Sequence, residues 1–510
     1  MIRTFIREHP LIFIFALIKL ALHLVANAMG GYDYFRDEFY YIACSERLDW
    51  GYVDHPPLSI FILWLNRLLL GDSLFALRLL PALAGAGTVV LTGLLVNELG
   101  GGRRAQVLAL LAVVIAPVFL ILSDFYSMNA FEPLFWTGAA YLLVRIINTG
   151  DHRLWLWFGT LAGLGLQNKH SMAFFGIAIV VGLLLTSEHK QLANKWIWLG
   201  GIIAGVLFLP NIIWQMMHGW PTLEFAKNAQ QGKNLPMSPL EFFGAQLLFH
   251  HPVAFPLWIG GLGAFFFHPR LKSYRVFGYA FAFLFILFVI QRGKPYYLSP
   301  FFPLLVAAGA ITLDEFFVRK QWVWAFRGYA SVLAIGGLIT MPLVLPLLPV
   351  ETYIRYAAPF GIAKVKTERH ADTELPQTFA DRFGWREMAQ AVAKVLNTLP
   401  SEERAKTVIY GQNYGEAGAV EFFGSAYNLP AVFSGHNSYW WWGPPADSMT
   451  TVIIIGGRRA DHERVFASVE HVATHSHPLA MRYESDLPIF LCREPKMPIS
   501  EIWSMTRHYN

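Results

Sequence analysis

Trp196-Ile-Trp-Leu-Gly-Gly-Ile-Ile-Ala-Gly-Val-Leu-Phe-Leu-Pro-Asn-Ile-Ile-Trp-Gln-Met216 carries no charge along its whole length. A helix needs about 20 mainly apolar residues to cross a bilayer core, and this segment supplies them. Similar runs recur near 10–29, 74–98, 104–123, 128–147, 154–168, 171–186, 246–267, 275–291, 297–318 and 327–349, giving about eleven candidate spans. The pair 154–168 and 171–186 is short, with only Gln167-Asn168-Lys169-His170 at the break. Composition agrees: 55% of the 510 residues are hydrophobic and 15% charged, against roughly a quarter charged in a soluble domain. These totals exclude a disordered chain, a coiled coil and a secreted disulfide scaffold. The two cysteines, Cys44 and Cys492, lie too far apart in sequence to suggest a framework or a metal knuckle.

The net charge of +5 does not point to nucleic acid once it is divided along the chain. Residues 1–349 hold 24 basic and 17 acidic residues, and residues 350–510 hold 16 and 18. In an apolar region a basic surplus marks topology. With the N-terminus in the cytoplasm, Arg3/Arg7, Arg103/Arg104, Arg145/Arg153, Lys190/Lys195, Arg270/Lys272/Arg275 and Arg319/Lys320/Arg327 fall on one side in short connections. An odd number of spans then puts 350–510 outside the cell membrane, in a periplasm if the cell has one. Arg3, Arg7, an apolar run and Ala26-Asn27-Ala28 have the look of a signal peptide. The run is long for one and Lys19 interrupts it, so a retained helix is the reading.

From residue 350 the composition becomes that of a soluble domain. Trp385, Met388, Val392 and Val395 have helical spacing, and Thr407–Tyr410 and Thr451–Ile455 are short β-branched runs, each followed by glycine and a helical stretch. Alternating strands and helices predict a small α/β domain. The expected organisation is a membrane domain over 1–349, with an outside loop at 30–73, and an extracytoplasmic α/β domain over 350–510.

Candidate chemistry gathers on the outside face. The loop contains Asp37-Glu38 and then Asp54-His55-Pro56-Pro57-Leu58. Two acids just beyond a span fit a catalytic base, metal ligands or a solvated loop, and the residues alone leave these open. Glu132 falls inside an apolar run, where a carboxylate is costly and usually functional. Lys169, Arg292 and Lys294, with Tyr296 and Tyr297 beside them, are cations and hydroxyls of the kind that hold a phosphate. Lys19, His23 and Asn27 form a stripe on one face of the first helix, and structural hydrogen bonding is the simpler role for it. Asp54, His250, His251 and His436 are candidate ligands for a divalent metal, but their spacing defines no site. Trp440-Trp441-Trp442 suits either sugar stacking or a packed interface.

In order and topology these blocks resemble a family. Asp37-Glu38-x-x-Tyr41, the Asp54–Leu58 run, Asn211-Ile-Ile-Trp214, His218–Phe225 and Gly293-Lys294-Pro-Tyr-Tyr-Leu298 are similar to blocks of the GT-C membrane glycosyltransferases. The protein O-mannosyltransferase and lipid A aminoarabinose transferase group is the nearest in pattern, over roughly residues 10–320. The resemblance implies a polyprenyl-phosphate-linked sugar donor and an acceptor on lipid A, a polysaccharide or a protein. It also implies Asp37 as the base that activates the acceptor, and Glu132 as the acid opening the fourth span. Some members carry Lys before the paired prolines, where it binds donor phosphate; this chain has His55, only partly charged near neutral pH.

Such a transfer needs a base for the incoming hydroxyl and positive charge for the leaving phosphate. Attack opposite the phosphate inverts the anomeric carbon. No nucleotide-binding glycine-rich loop faces the cytoplasm, which suits a lipid-linked donor. Two rivals remain at this level. A transporter or flippase predicts internal repeats and mid-membrane polar sites, and an envelope-assembly protein predicts an idle membrane part with a partner-binding outside domain.

Overall fold

The computed structural model describes residues 7–362, 368, 371 and 373–510; Arg3, counted above in the basic set, lies outside them. Helix α1 (Pro10–Ala28) leads into a segment with two further helices, α2 (Arg36–Glu46) and α3 (Leu58–Leu70). Then follow α4 (Leu74–Glu98), α5 (Arg103–Ile115), α6 (Pro117–Leu122), α7 (Met128–Thr149), α8 (Leu154–Asn168), α9 (Ser171–Leu184) and α10 (Lys195–Met217). The apolar part closes with α11 (Pro221–Asn228), α12 (Pro239–Phe249), α13 (Phe255–Phe267), α14 (Arg275–Ile290), α15 (Phe302–Arg319) and α16 (Val323–Val344).

Among the described residues, seven helices are long and apolar enough to cross a membrane: those spanning Pro10–Ala28, Leu74–Glu98, Met128–Thr149, Lys195–Met217, Lys272–Ile290, Pro295–Arg319 and Val323–Val344. The chain is a multi-pass membrane protein. The remaining four of the eleven expected spans are shorter or broken helices, and the breaks have local causes. Pro117 has no N–H to continue α5, so the 104–123 run splits at Ala116. His251, at φ 69°, and Pro252 split 246–267 into α12 and α13. Helix α9 turns by 114° into the short 3₁₀ helix Ser187–Ala193.

Small residues let the membrane helices approach closely. A Cβ on Gly159 of α8 would sit 2.0 Å from the carbonyl oxygen of Gly200 on α10, and one on Gly309 of α15 would sit 1.7 Å from that of Leu257 on α13. No larger residue fits either crossing.

Beyond α16 come α17 (Val350–Ala357), α18 (Trp385–Thr398), α19 (Tyr414–Gly424), α20 (Ile499–Thr506) and five strands: β1 (Thr407–Gly411), β2 (Val432–Phe433), β3 (Thr451–Ile455), β4 (Phe466–His475) and β5 (Leu487–Pro495). They form one mixed sheet of order β2-β1-β3-β5-β4, with β1 parallel to β2 and β3 and the β3–β5 and β5–β4 pairs antiparallel. The α/β character expected of this region is present. Its core is not its own, however. Tyr34, Phe39 and Tyr40 from the 30–73 segment pack in one apolar cluster with Trp385, Met388, Val420, Ile409 and Ile453. A buried ion pair, Arg382 Nη2 to Asp124 Oδ2 at 2.6 Å, ties the same region to the turn before α7. Helix α3 packs Ile60 and Leu63 inward and leaves Phe61, Trp64, Leu68 and Leu69 exposed, the division of a helix lying along a membrane surface.

Candidate functional site

The first turn of α2 sorts the two adjacent acids. Successive helical residues point about 100° apart, so Asp37 and Glu38 have different surroundings. Glu38 faces inward and is fully buried. Its oxygens accept from Arg78 Nε (2.9 Å), Arg78 Nη2 (2.7 Å), the Tyr126 amide (2.8 Å) and the Phe35 amide at the helix start (2.8 Å). Every favourable direction on this carboxylate is used by the protein, so Glu38 fastens α2 to α4. Asp37 turns the other way, with its side chain one-third exposed. Its Oδ1 accepts from the Tyr414 hydroxyl at 2.9 Å, with Arg36 Nε at 3.6 Å.

Asp37 lines a cavity of about 230 Å³. Val118, Ile121, Leu122, Phe125 and Phe249 make an apolar wall, while Arg36, Lys233 and Lys294 bring three cations and Glu368 a carboxylate. Lys294 Nζ donates to Glu368 Oε1 at 2.5 Å, and Lys233 Nζ stands 3.8 Å from the same oxygen. Burial alone would raise the Glu368 carboxyl; Lys294, Lys233 and Arg36 overcome it and hold the group well below the usual carboxylate range. Burial opposes the Lys294 ammonium too, yet Glu368 outweighs it and the pKa is raised. At Lys233 burial prevails, aided by the neighbouring cations, and the pKa is lowered. Across the cavity Tyr40 donates to Asp54 Oδ1 (2.8 Å) and also pairs with Ser438 (2.7 Å). Tyr296 and Tyr297 also line the space.

Several residues expected at the site stand behind its wall. Glu132 is buried, accepting from Lys169 Nζ at 2.6 Å and from the Ser171 hydroxyl. Lys169 donates also to Asn129 Oδ1 (2.8 Å) and sits over the rings of Tyr297 and Tyr296, at 4.8 and 5.5 Å. Neither residue of this pair lines the cavity, and each is the other's counter-charge inside the helix bundle. His55 is fully buried, stacked on Tyr41 at 4.8 Å, and burial lowers its pKa. It stands behind Tyr41 and Asp54, which line the cavity, and does not line it itself. Arg292 is exposed, with φ 52° and its carbonyl accepting from Asn234, and it too is absent from the lining. His250 stacks face to face on Phe302, and His251 Nδ1 accepts from the Val253 amide. Among the described residues no three His, Cys, Asp or Glu side chains group to hold a metal ion.

Residue-by-residue reading of the sequence missed Arg36, Lys233, Glu368 and Tyr414. Arg36 adjoins Asp37 and was open to notice. Lys233 sits in a polar stretch between apolar runs with nothing local to mark it. Tyr414 reaches Asp37 only through the tertiary fold.

Residues 54–214 match the family model described as dolichyl-phosphate-mannose-protein mannosyltransferase. Of curated proteins, the lipid A galacturonosyltransferase RgtD of Rhizobium johnstonii is 26% identical over 233 residues, covering 44% of this chain and 48% of that protein. An undecaprenyl phosphate-alpha-4-amino-4-deoxy-L-arabinose arabinosyl transferase of Pseudomonas fluorescens is 25% identical over 172 residues, 32% of this chain and 30% of that one. The chain thus matches half or less of either relative's length. ArnT from Cupriavidus metallidurans, solved with undecaprenyl phosphate, superposes with a TM-score of 0.60 at 14% identity, covering 94% of this chain and 97% of ArnT. The fold is that of the GT-C membrane glycosyltransferases. The resemblance first seen in a few blocks therefore extends, as fold, through the C-terminal sheet, which the sequence blocks did not reach.

Proposed function

We propose that this chain is an integral-membrane glycosyltransferase that moves a sugar from a polyprenyl-phosphate carrier to an acceptor hydroxyl on the extracytoplasmic side. One observation carries the reading: a part-exposed carboxylate, Asp37, shares a cavity with three cations and an apolar wall. That combination suits the reaction's three demands. Asp37 takes the proton of the acceptor hydroxyl as its oxygen bonds to the anomeric carbon. The bond from that carbon to the phosphate oxygen breaks, and its electron pair leaves with the phosphate. Lys294, Lys233 and Arg36 stabilise the charge gained there, while the apolar wall accepts the first isoprene units. Attack from the Asp37 side and departure toward the lysines invert the anomeric carbon.

The relatives' printed names, a lipid A galacturonosyltransferase and an undecaprenyl-phosphate aminoarabinosyl transferase, favour a sugar acceptor in the cell envelope. The basic connections favour a cytoplasmic N-terminus, with residues 350–510 and the 30–73 loop outside, in the inner membrane of a bacterium. Glu132 and Lys169 act in this scheme by holding Asn129, Tyr296 and Tyr297 at the cavity wall. The test is transfer in detergent micelles from extracted lipid-linked sugars to an envelope fraction, followed by mass spectrometry. Product from the wild type and none from Asp37→Asn supports the proposal; no product from any lipid-linked donor refutes it.

A further inference from the structure

We propose that the apolar slot between α8, α9 and α10 seats one acyl chain of an anionic phospholipid whose headgroup rests against Arg153, Lys190 and Lys195. The slot measures about 370 Å³ and is lined along α8 from Trp155 to Leu166, along α9 from Met172 to Leu183 and along α10 from Ile197 to Ala204. Helix α10 leaves it open because it leans on the bundle by one face, burying only Gly200, Asn211, Trp214 and Gln215. Gly176 and Gly201 also line the slot and offer no side chain to fill it; a Cβ on either meets nothing within 4 Å. The slot is separate from the Asp37 cavity. Helix α8 runs from Arg153 at one end to Lys169 at the other, and Lys169 is the end that stands over Tyr296 and Tyr297.

Lining and depth fix the kind of occupant. Every lining residue is apolar, so the slot takes hydrocarbon and offers nothing to a polar ligand. From Trp155 to Leu166 a helix rises about 16 Å, roughly half of a bilayer's hydrocarbon core. That is the depth of one leaflet and the reach of a phospholipid's acyl chain. The floor at the Arg153 end is built by the protein. Helix α9 bends there into the 3₁₀ helix Ser187–Ala193. Gln191 Oε1 in that turn accepts from Trp155 Nε1 at 3.3 Å, and the Leu192 carbonyl accepts from Trp198 Nε1 at 2.8 Å.

Charge at the same end selects the headgroup. Arg153, Lys190 and Lys195 are exposed, and each lies two residues from a lining residue: Trp155, Leu192 and Ile197. The two carboxylates of these connections are engaged within their own segments. Asp151 Oδ1 accepts from the Arg153 amide at 3.1 Å, and Glu188 Oε2 accepts from Gln191 Nε2 at 3.3 Å. A phosphate with no ammonium of its own answers the remaining surplus, as in basic pockets between membrane helices that hold anionic headgroups. Basic connections by themselves report only topology. Here they rim an open slot one leaflet deep, so a single lipid finds a partner for its head and for its tail. A chain seated there braces α10, which the protein itself ties at the far end through Gln167 Nε2 to the Leu207 carbonyl (2.6 Å) and His170 to Asn211 (3.2 Å).

The experiment uses the full chain, delipidated in detergent, with phosphatidylglycerol, phosphatidylethanolamine and undecaprenyl phosphate as separate probes and binding read by native mass spectrometry. The wild type should retain one phosphatidylglycerol and hold it at least about tenfold more tightly than phosphatidylethanolamine. Gly176→Leu combined with Gly201→Leu puts two side chains into the slot and should abolish that bound lipid. Lys190→Gln combined with Lys195→Gln changes only exposed side chains; it should weaken phosphatidylglycerol by about tenfold and leave phosphatidylethanolamine as it was. Both double variants should bind undecaprenyl phosphate as the wild type does. Phosphatidylglycerol held as tightly by the leucine variant as by the wild type overturns the site. Equal binding of the two phospholipids to the wild type, or no effect of the glutamines, overturns the headgroup assignment. Displacement of the retained phosphatidylglycerol by undecaprenyl phosphate overturns the occupant in favour of a prenyl chain.

Discussion

Replacing Asp37 by Asn and Glu38 by Gln separates chemistry from architecture at neighbouring positions. Asparagine at 37 keeps an oxygen for the Tyr414 hydroxyl, now 2.9 Å from Oδ1, and little else touches the group, so the fold should be unaffected. What goes is the proton acceptor, and base catalysis of this kind contributes about 10²–10⁴-fold to turnover. Glutamine at 38 does the reverse. It leaves Arg78, fully buried and bonded through two nitrogens to Glu38, without its counter-charge, and breaking such a pair costs about 3–5 kcal/mol. Glu38→Gln should therefore appear as low yield and a lowered melting temperature, with near-normal turnover in whatever fraction folds. The assay is transfer rate per folded molecule, counted by a monodisperse peak in size exclusion, alongside a thermal melt in the same detergent. Wild-type turnover in Asp37→Asn refutes the assignment of the base. A melt unchanged in Glu38→Gln refutes the account of how α2 is held.

Tyr414→Phe keeps the aromatic ring but removes a hydrogen bond to the Asp37 carboxylate, worth about 1.5–3 kcal/mol; turnover should fall at least about tenfold with carrier binding intact. Lys294→Ala should raise the apparent KM for the donor and slow turnover, because the leaving phosphate gains charge, whereas Arg292→Ala should match the wild type in both constants. In Glu484 a carboxyl normally near 4.5 is pushed up to about 8, so from pH 4.5 to 8 the unfolded chain gives up a proton that the fold retains. Stability falls as pH rises through that window, and the melting temperature of Glu484→Gln should gain on the wild type between pH 6 and pH 8. Ser425→Cys, on an exposed turn, should react with an impermeant thiol reagent from outside; labelling only after the inner membrane is opened would reverse the topology.

The membrane part was legible because hydropathy is a local property, and each run of apolar residues announces its own helix. The count was less so. Breaks such as Ala116-Pro117 and His251-Pro252 sit inside runs of unchanged hydropathy and depend on single backbone positions. Asp37 and Glu38 stood out together as paired acids after a span, and only the family resemblance singled out Asp37; the difference in their surroundings needed Arg78 to be seen across the fold. Lys169 and Glu132 were each noticed as lone charges in apolar surroundings, but only the structure joins them at 2.6 Å. The cavity's cations were harder. Arg36 and Lys233 come from segments far apart in sequence, and Glu368, which orders Lys294, comes from another still. Tyr414 lies beyond the reach of any local rule.

The apolar cluster that joins Tyr34, Phe39 and Tyr40 to Trp385, Met388 and Ile453 has a consequence for biosynthesis. The ribosome delivers the 30–73 segment to the membrane long before it has made the residues that bury it. During that interval three aromatic side chains near Asp37 have no core to enter, and Asp37 lacks the Tyr414 hydroxyl that bonds it. The cavity around Asp37 is not assembled until the sheet region has docked on that segment, so under the proposed function a truncated chain lacking that region is expected to give no product in the transfer assay. The same dependence leaves the sheet domain, expressed by itself, with an open apolar face where Tyr34, Phe39 and Tyr40 would pack.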